Sequence, residues 1–559
     1  MNSASFLIRC FLLLTVVSSP IFAGLSEIRS VDGTGNNLSN PTWGSANTPL
    51  LRDSPLSYMD QMGDTLVDWG NPRLISNSLS TYSGPKFDSR MLSSMVWQWG
   101  QFIDHDISLT EAHVENGTAD IPVMEESDIL YPSVSFVRSN HVGGDSVETP
   151  RQQVNQITAF IDASNVYGSD ETTMNQLRSF SDGRLQTSAG NLMQQDADGH
   201  FMGGDVRANE QLGLISMHTL FTREHNRIAD QILANATDLP TDPILRDEDV
   251  FQRARKVVGA QLQAITYKEF LPALLGPHAP SLEDAQYDPT VNATINNEFS
   301  TVLFRFGHSM LNPELMIVND EGVLVDEILL RDAFFRPDLL AADPELMDGL
   351  LKGLSEQRAQ KVDVEMIDDV RSFLFGNGFP GLDLAALNIQ RSRDHGIADY
   401  NTLRETYGMS SMGDFDEITT DVELRERLRS AYVNVDQMDS WIAALGEEHV
   451  EGSSLGGLAT VAVAKQFTKL RDGDRFFYLY DPDIQQLAAE AGIDFDELRL
   501  ADVIMNNTSI TNIRENVFVI PEPHSSLYAV IGLIVGVLRI RRVNENSQNW
   551  GIGGAESRS

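Results

Sequence analysis

Residues 97–106 read Trp97-Gln98-Trp99-Gly100-Gln101-Phe102-Ile103-Asp104-His105-Asp106, and their spacing bears on fold class and chemistry together. Over residues 91–103 the apolar side chains Met91, Leu92, Met95, Val96, Trp99, Phe102 and Ile103 recur every three or four positions, as a helix with one buried face requires. Ser89 or Asp88 is expected to cap its start. Gln101 and His105, four apart, share a face, while Asp104 and Asp106 leave in diverging directions. Taken alone, a histidine between two aspartates is more often a hydrogen-bonded helix end than a base. Its partners elsewhere decide the matter.

Working outward, the same period returns over residues 209–234, 257–270, 299–306, 382–407 and 459–470, and strand-like alternation is scarce. The expected architecture is mostly α: one large helical domain over residues 24–520 with little β-structure. Residues 111–156, rich in Gly, Pro, Asn and acidic side chains, are expected to form a long surface loop.

Eighty Asp and Glu against 41 Lys and Arg give a formal charge of −39, which repels nucleic acid phosphates and anionic membrane surfaces. Residues 1–23 follow the pattern of a secretory signal peptide: Arg9, an apolar run, then Ser18-Ser19-Pro20-Ile21-Phe22-Ala23. The one cysteine, Cys10, lies inside that segment, so a mature chain has no disulfide and depends on packing and bound ions. Residues 521–559 begin with Pro521-Glu522-Pro523, continue through a mostly apolar run over 527–538, and reach Arg539, Arg541 and Arg542. That run is shorter than the roughly 20 residues of a membrane span. The order resembles the PEP-CTERM sorting signal of Gram-negative bacteria, which implies a secreted or cell-surface protein and contact with export machinery. The polar extension 543–559 departs from that pattern, and a weak hydrophobic tail helix is the plainer alternative.

Four further segments carry chemistry. In Thr158-Ala159-Phe160-Ile161-Asp162-Ala163-Ser164, extended backbone would turn alternate residues to one side, so oxygens of Thr158, Phe160, Asp162 and Ser164 converge, with Asp106 as a further donor. Calcium takes six to eight such oxygens; a polar turn is the alternative. In Gly204-Asp205-Val206-Arg207-Ala208-Asn209-Glu210, Arg207 and Glu210 stand three apart, as in an ordinary helix ion pair. His218 and His225 follow without a zinc pattern and read as structural. Leu303-Phe304-Arg305-Phe306-Gly307-His308-Ser309 puts a lone histidine beside a glycine in an apolar helix, which suits a core residue or an axial haem ligand. Leu387-Asn388-Ile389-Gln390-Arg391-Ser392-Arg393-Asp394-His395-Gly396 reads as a buried ion network.

Together these segments, with Asp32-Gly33-Thr34-Gly35-Asn36-Asn37 before them and Leu470-Arg471-Asp472-Gly473-Asp474-Arg475-Phe476 after, resemble the animal-type haem peroxidases of the peroxidase-cyclooxygenase superfamily. The resemblance covers nearly all of the chain after residue 23. It implies a haem b peroxidase that reduces hydrogen peroxide and oxidises small organic donors or halide-type anions, an oxidoreductase of the kind active in oxidative stress. It makes His105 the distal base, Gln101 a distal hydrogen-bonding residue and Arg207 the distal arginine. His308 becomes the proximal iron ligand and Asn388 its acceptor. Asp104 and Glu210 become the carboxylates esterified to haem, Arg305 and Arg391 neighbours of haem and its propionates. Asp106, Thr158, Phe160, Asp162 and Ser164 become calcium ligands.

Two departures bear on the expectation. Gly35 stands where vertebrate relatives carry a disulfide cysteine, and Gln211 where one branch carries the methionine of a third haem link, which weakens the case for chloride as substrate. A fatty-acid dioxygenase of the superfamily is disfavoured, because those enzymes carry a radical-forming tyrosine three residues before the proximal histidine and Arg305 stands there. A non-catalytic calcium-binding adhesion protein is the rival from another class.

Overall fold

The computed structural model describes residues 25–376 and 380–521. The expected signal peptide and, beyond Pro521, the expected sorting tail lie outside the described residues.

Helical residues make up 42% of the structure and strand residues 10%, as the period of the apolar positions implies. The helices that position the site are α1 (Met95–Ile107), α2 (Leu212–Asn235), α3 (Pro243–Ile265), α4 (Leu346–Glu356), α5 (Leu384–Asp394), α6 (Gly457–Asp472), α7 (Ile484–Ala491) and α8 (Leu500–Asn507). Helix α2 is the hub, packed by α1, α3, α4, α7 and α8. The seam between α1 and α2 is aromatic: Phe102 stacks on Phe221 with ring centroids 5.2 Å apart, and Trp99 leans on both. Removing Phe102 from this fully buried layer costs roughly 3–5 kcal/mol.

Among the described residues the strands are β1 (Thr48–Pro49), β2 (Ile121–Pro122), β3 (Ser133–Val134), β4 (His141–Val142), β5 (Gln152–Asn155), β6 (Glu314–Val318) and β7 (Leu324–Leu329), and isolated bridges make up the rest of the strand residues. The strands make a β1-β5-β4 sheet and two antiparallel pairs, β2 with β3 and β6 with β7. Four of the seven lie within residues 111–156, so the expected loop is pinned by short pairings.

Three local expectations change. Helix α1 starts at Met95, four residues later than its apolar period, and Ser94 caps it without a side-chain bond. The intervening backbone is committed elsewhere: Ser93 N–H donates to Phe518 O at 2.9 Å, Leu92 O accepts from Ala359 at 2.9 Å, and Met91 takes φ 60°. Residues 299–309 are a π-helical turn, Phe299–Leu303, followed by a 3-10 turn, Arg305–Ser309, rather than an α-helix. Residues 158–164 are not one extended run, because Ala163 is left-handed (φ 64°) and Ser164 opens the short helix Ser164–Tyr167.

No helix among the described residues is long and apolar enough to cross a membrane.

Candidate active site

One cavity of about 340 Å³ collects most of the expected site residues. Helix α1 contributes Gln101, Asp104 and His105; the loop before α2 contributes Arg207 and Glu210; the 3-10 turn contributes Arg305, Gly307 and His308; α5 contributes Arg391. Apolar side chains, among them Phe304, Phe306, Leu330 and Phe334, complete its wall. A Cβ on Gly307 would meet no protein atom within 4 Å, so this glycine leaves the lining open.

His308 carries its one ring partner at Nδ1, where Asn388 Nδ2 lies 2.8 Å away. Asn388 Oδ1 accepts from Arg305 Nη1 only at 3.5 Å, and a half-turn of the amide, which gives up that long contact, would bring Oδ1 to the ring. With Oδ1 facing the ring, Nδ1–H donates to Asn388 and Nε2 keeps a lone pair. Burial, with the nearby Arg305 charge, lowers the His308 pKa to about 3, so the ring is neutral near pH 7. Arg305 itself is braced by Ser300 O, to which its Nε donates at 3.0 Å.

His105 is 4% exposed, and its Nδ1 has no hydrogen-bond partner among the described residues. Burial, reinforced by the Arg207 charge, holds it neutral, well below the ordinary histidine range. Two carboxylates face the ring: Asp205 Oδ1 lies 3.7 Å from Nδ1, and Glu210 Oε2 lies 3.9 Å from Nε2. Burial raises Glu210 to about 7 against the pull of Arg207. Burial also works to raise Asp205, but Arg207 and then His105 hold it at about 2. The carboxylate that Arg207 keeps ionised therefore stands on the Nδ1 side of the ring, beyond hydrogen-bond distance. Burial raises Asp104 as well, opposed by Arg207 and Arg305.

Arg207 and Glu210 do not form the helix ion pair their spacing allows. Arg207 donates from Nε and Nη2 to the two oxygens of Asp205, both at 2.8 Å, and from Nη2 to Ser108 O at 2.9 Å. Glu210 accepts from Gln101 Nε2 at 3.0 Å. The sequence reading assigned Asp205 no role. Its signal was an acid two residues before an arginine in a non-helical turn.

Asp106 points away from the cavity, as its place beside Asp104 and His105 predicts. Its oxygens accept from the N–H groups of Ala163 and Asn165 at 3.2 and 3.3 Å. Thr158 Oγ1 and Ser164 N–H both donate to Asp162 Oδ1, at 3.0 and 3.1 Å, and Ser164 Oγ donates to Asp106 O at 2.7 Å. Asp162 Oδ2 is buried without a hydrogen-bond partner. Burial, and next the charge of Asp162, pushes Asp106 well above the usual carboxylate range; burial also raises Asp162, against Arg29 and Arg255. Two buried carboxylates beside hydroxyl oxygens, one carboxylate oxygen unsatisfied, suit a hard cation. Among the described residues no group of three or more His, Cys, Asp or Glu gathers as a metal site, so hydroxyl and carbonyl oxygens would have to complete this one.

The run in α5 is the ion network its composition implies. Arg138 Nε donates to Asp394 Oδ1 at 2.6 Å, Arg391 Nη1 to Ser139 Oγ at 2.7 Å, and Arg393 binds both oxygens of Asp439. His225 bridges the Tyr167 hydroxyl and Gly183 O, both at 2.8 Å, which is a structural role.

A family model described as animal haem peroxidase matches residues 28–518. The chain belongs to the animal haem peroxidase family. Peroxinectin A of Dictyostelium discoideum is 34% identical over 547 residues, covering 92% of this chain and 99% of that protein. Peroxidasin of Drosophila melanogaster is 32% identical over 92% of this chain, which spans only 37% of that longer protein. Among solved structures, Peroxidase A from Dictyostelium discoideum superposes with a TM-score of 0.79 at 32% identity, covering 88% of this chain and 100% of its own. A fatty acid alpha-dioxygenase from Arabidopsis thaliana, 21% identical with a TM-score of 0.73 over 89% of this chain and 84% of its own, shares the fold. This haem peroxidase is accordingly an oxidoreductase whose family implies haem, hydrogen peroxide and an electron donor.

Proposed function

We propose that the cavity is the haem pocket, that peroxide is reduced there, and that the electrons come from small organic donors or from iodide, bromide or thiocyanate. The observation that carries this reading is the presence of His105, Arg207 and His308 on one cavity wall system, with Asn388 against the far side of the His308 ring. Bound haem would supply a redox-active iron with a position open to peroxide.

His308 would hold the iron through Nε2, its Nδ1–H directed to Asn388 Oδ1, which fixes the tautomer and raises ligand basicity. His105 Nε2 would take a proton from one oxygen of hydrogen peroxide and hold it within reach of the other. The Arg207 guanidinium supplies fixed positive charge where negative charge develops on oxygen. Gln101 directs a hydrogen-bonding amide into the same space. Asp104 and Glu210 are the carboxyls for ester links to haem, and Arg305 and Arg391 the cations beside its propionates. Asp106, Thr158, Ser164 and Asp162, with the Phe160 carbonyl, would hold calcium. Arg305, where a dioxygenase of this superfamily has tyrosine, favours peroxidase over dioxygenase chemistry.

The 24–520 segment forms the peroxidase domain in this reading. Residues 1–23 direct secretion, and 521–559 direct sorting to the surface of a Gram-negative bacterium. A role in the response to oxidative stress accords with peroxide as substrate.

The test is steady-state peroxide turnover, with a phenol and with iodide as donors, for the wild type and His105→Ala. Loss of about 10²–10⁴-fold in kcat/KM for peroxide, with the haem absorbance kept, is expected. Undiminished turnover in His105→Ala contradicts the assignment.

A further inference from the structure

We propose that Asp205 is a positioning residue for the peroxide reaction, fixing the Arg207 guanidinium so that its one free terminal nitrogen is offered to an anionic ligand in the cavity. This rests on the haem pocket described above and adds to it the residue that sets the arginine's geometry.

An arginine side chain carries about 2 kcal/mol of rotamer freedom, so a guanidinium that must meet charge at one place needs an anchor. Asp205 is that anchor. Its two oxygens take Nε and Nη2 of Arg207 side by side at 2.8 Å each, the fork geometry that fixes orientation as well as distance. The backbone N–H of Arg207 also donates to Asp205 Oδ1 at 2.8 Å, and Ser108 O takes the other Nη2 hydrogen at 2.9 Å. Nη1 has no hydrogen bond among the described residues, and its ion-pair partner, Asp104 Oδ2, stands 3.7 Å off. Three of the five N–H donors thus hold the group in place, and the two on Nη1 remain for a ligand.

Asp205 is itself held firmly. Its side chain is 1% exposed, and its N–H donates to Asn165 O at 3.2 Å. The preceding Gly204 packs so closely that a Cβ there would lie 2.3 Å from Ser164 O and 2.4 Å from Gly168 N, so no side chain fits. The carboxylate is not part of the cavity lining, which Arg207 and His105 are. Asp205 therefore touches no substrate, and its influence passes through the residues that do. The charge that holds the arginine is secure, because its proton leaves near pH 2.

Asp205→Asn keeps one oxygen acceptor but puts an NH₂ group where the second oxygen accepted, so the fork cannot form. Cyanide bound to the ferric holoenzyme is an anionic ligand whose affinity reads the Arg207 charge without turnover. Its dissociation constant is to be measured spectroscopically for wild type, Asp205→Asn, Arg207→Ala and the double variant. The expected result is a rise of about tenfold in Asp205→Asn and less than a further twofold when Asp205→Asn is added to Arg207→Ala. An unchanged dissociation constant in Asp205→Asn, or the same fold-loss on both backgrounds, overturns the proposal. So does an Asp205→Asn chain that loads no haem while Arg207→Ala loads it, since Asp205 would then serve the fold. A wild type that binds no haem refutes the pocket itself, which separates that failure from this one.

Discussion

Gln211 fixes the direction of the Gln101 amide. Gln211 Oε1 accepts from the backbone N–H of Gly213 at 2.6 Å, so its Nε2 must be the end that donates, to Gln98 Oε1 at 2.6 Å and Gln101 Oε1 at 3.2 Å. Gln101 therefore turns its oxygen to Gln211 and its NH₂ to Glu210, 3.0 Å away. Gln211→Leu removes the reference point, and a neutral hydrogen bond of this kind is worth about 1 kcal/mol. Stopped-flow mixing of the variant with peroxide is expected to show a roughly fivefold slower reaction at unchanged haem content. A rate equal to the wild type shows that the Gln101 orientation does not matter.

Asn388 keeps the His308 ring oriented through a 2.8 Å contact at Nδ1. Replacing it with leucine preserves bulk and removes the partner. Second-layer partners of metal ligands are worth 10–100-fold in affinity or activity, and haem titration of Asn388→Leu is expected to show a loss of that size. Wild-type affinity and an unshifted absorption spectrum are the opposing result.

If calcium occupies the proposed site it would stabilise the chain, because it would neutralise Asp106 and Asp162, buried near one another. At a hundredfold excess over its dissociation constant it adds about 2.7 kcal/mol. A chelator should lower the melting temperature of the wild type and leave that of Asp162→Ala unmoved. Equal melting curves with and without chelator in the wild type contradict the site.

Glu269 gives the fold a pH dependence unconnected with catalysis. It is 4% exposed, its Oε2 accepts from Leu500 N–H at 2.7 Å, and burial raises its pKa from 4.5 to about 7 despite that bond. The folded chain holds this proton more tightly than the unfolded chain does. The contribution, roughly 3 kcal/mol, is therefore present in full below pH 4.5 and lost as pH rises to 7. Glu269→Gln removes the titration, so its melting temperature should exceed the wild type at pH 8 and approach it towards pH 4.5. A difference independent of pH refutes this.

The helical architecture was legible because its signals are local, whereas the grouping of residues as distant as His105, Arg207 and His308 came from the family resemblance and not from spacing. Gln101, Asp104, His105 and Asp106 fall within six consecutive residues, and a helix sends them in fixed directions. What the sequence hid was settled by distant partners. The start of α1 depends on Phe518 and Ala359 taking the backbone bonds of Ser93 and Leu92. The π and 3-10 turns carrying Arg305 and His308 have the same apolar composition as an α-helix. Asp205 could not be told from any surface aspartate until the fold closed it against Arg207.

The most direct test is the absorption spectrum of the purified full-length chain, wild type and His308→Ala, before and after peroxide. The wild type should show a haem band that shifts on adding peroxide and returns on adding a donor, and His308→Ala should lose the band or hold haem weakly. A wild type without the band, or a His308→Ala variant with an unaltered one, would contradict the assignment of the pocket.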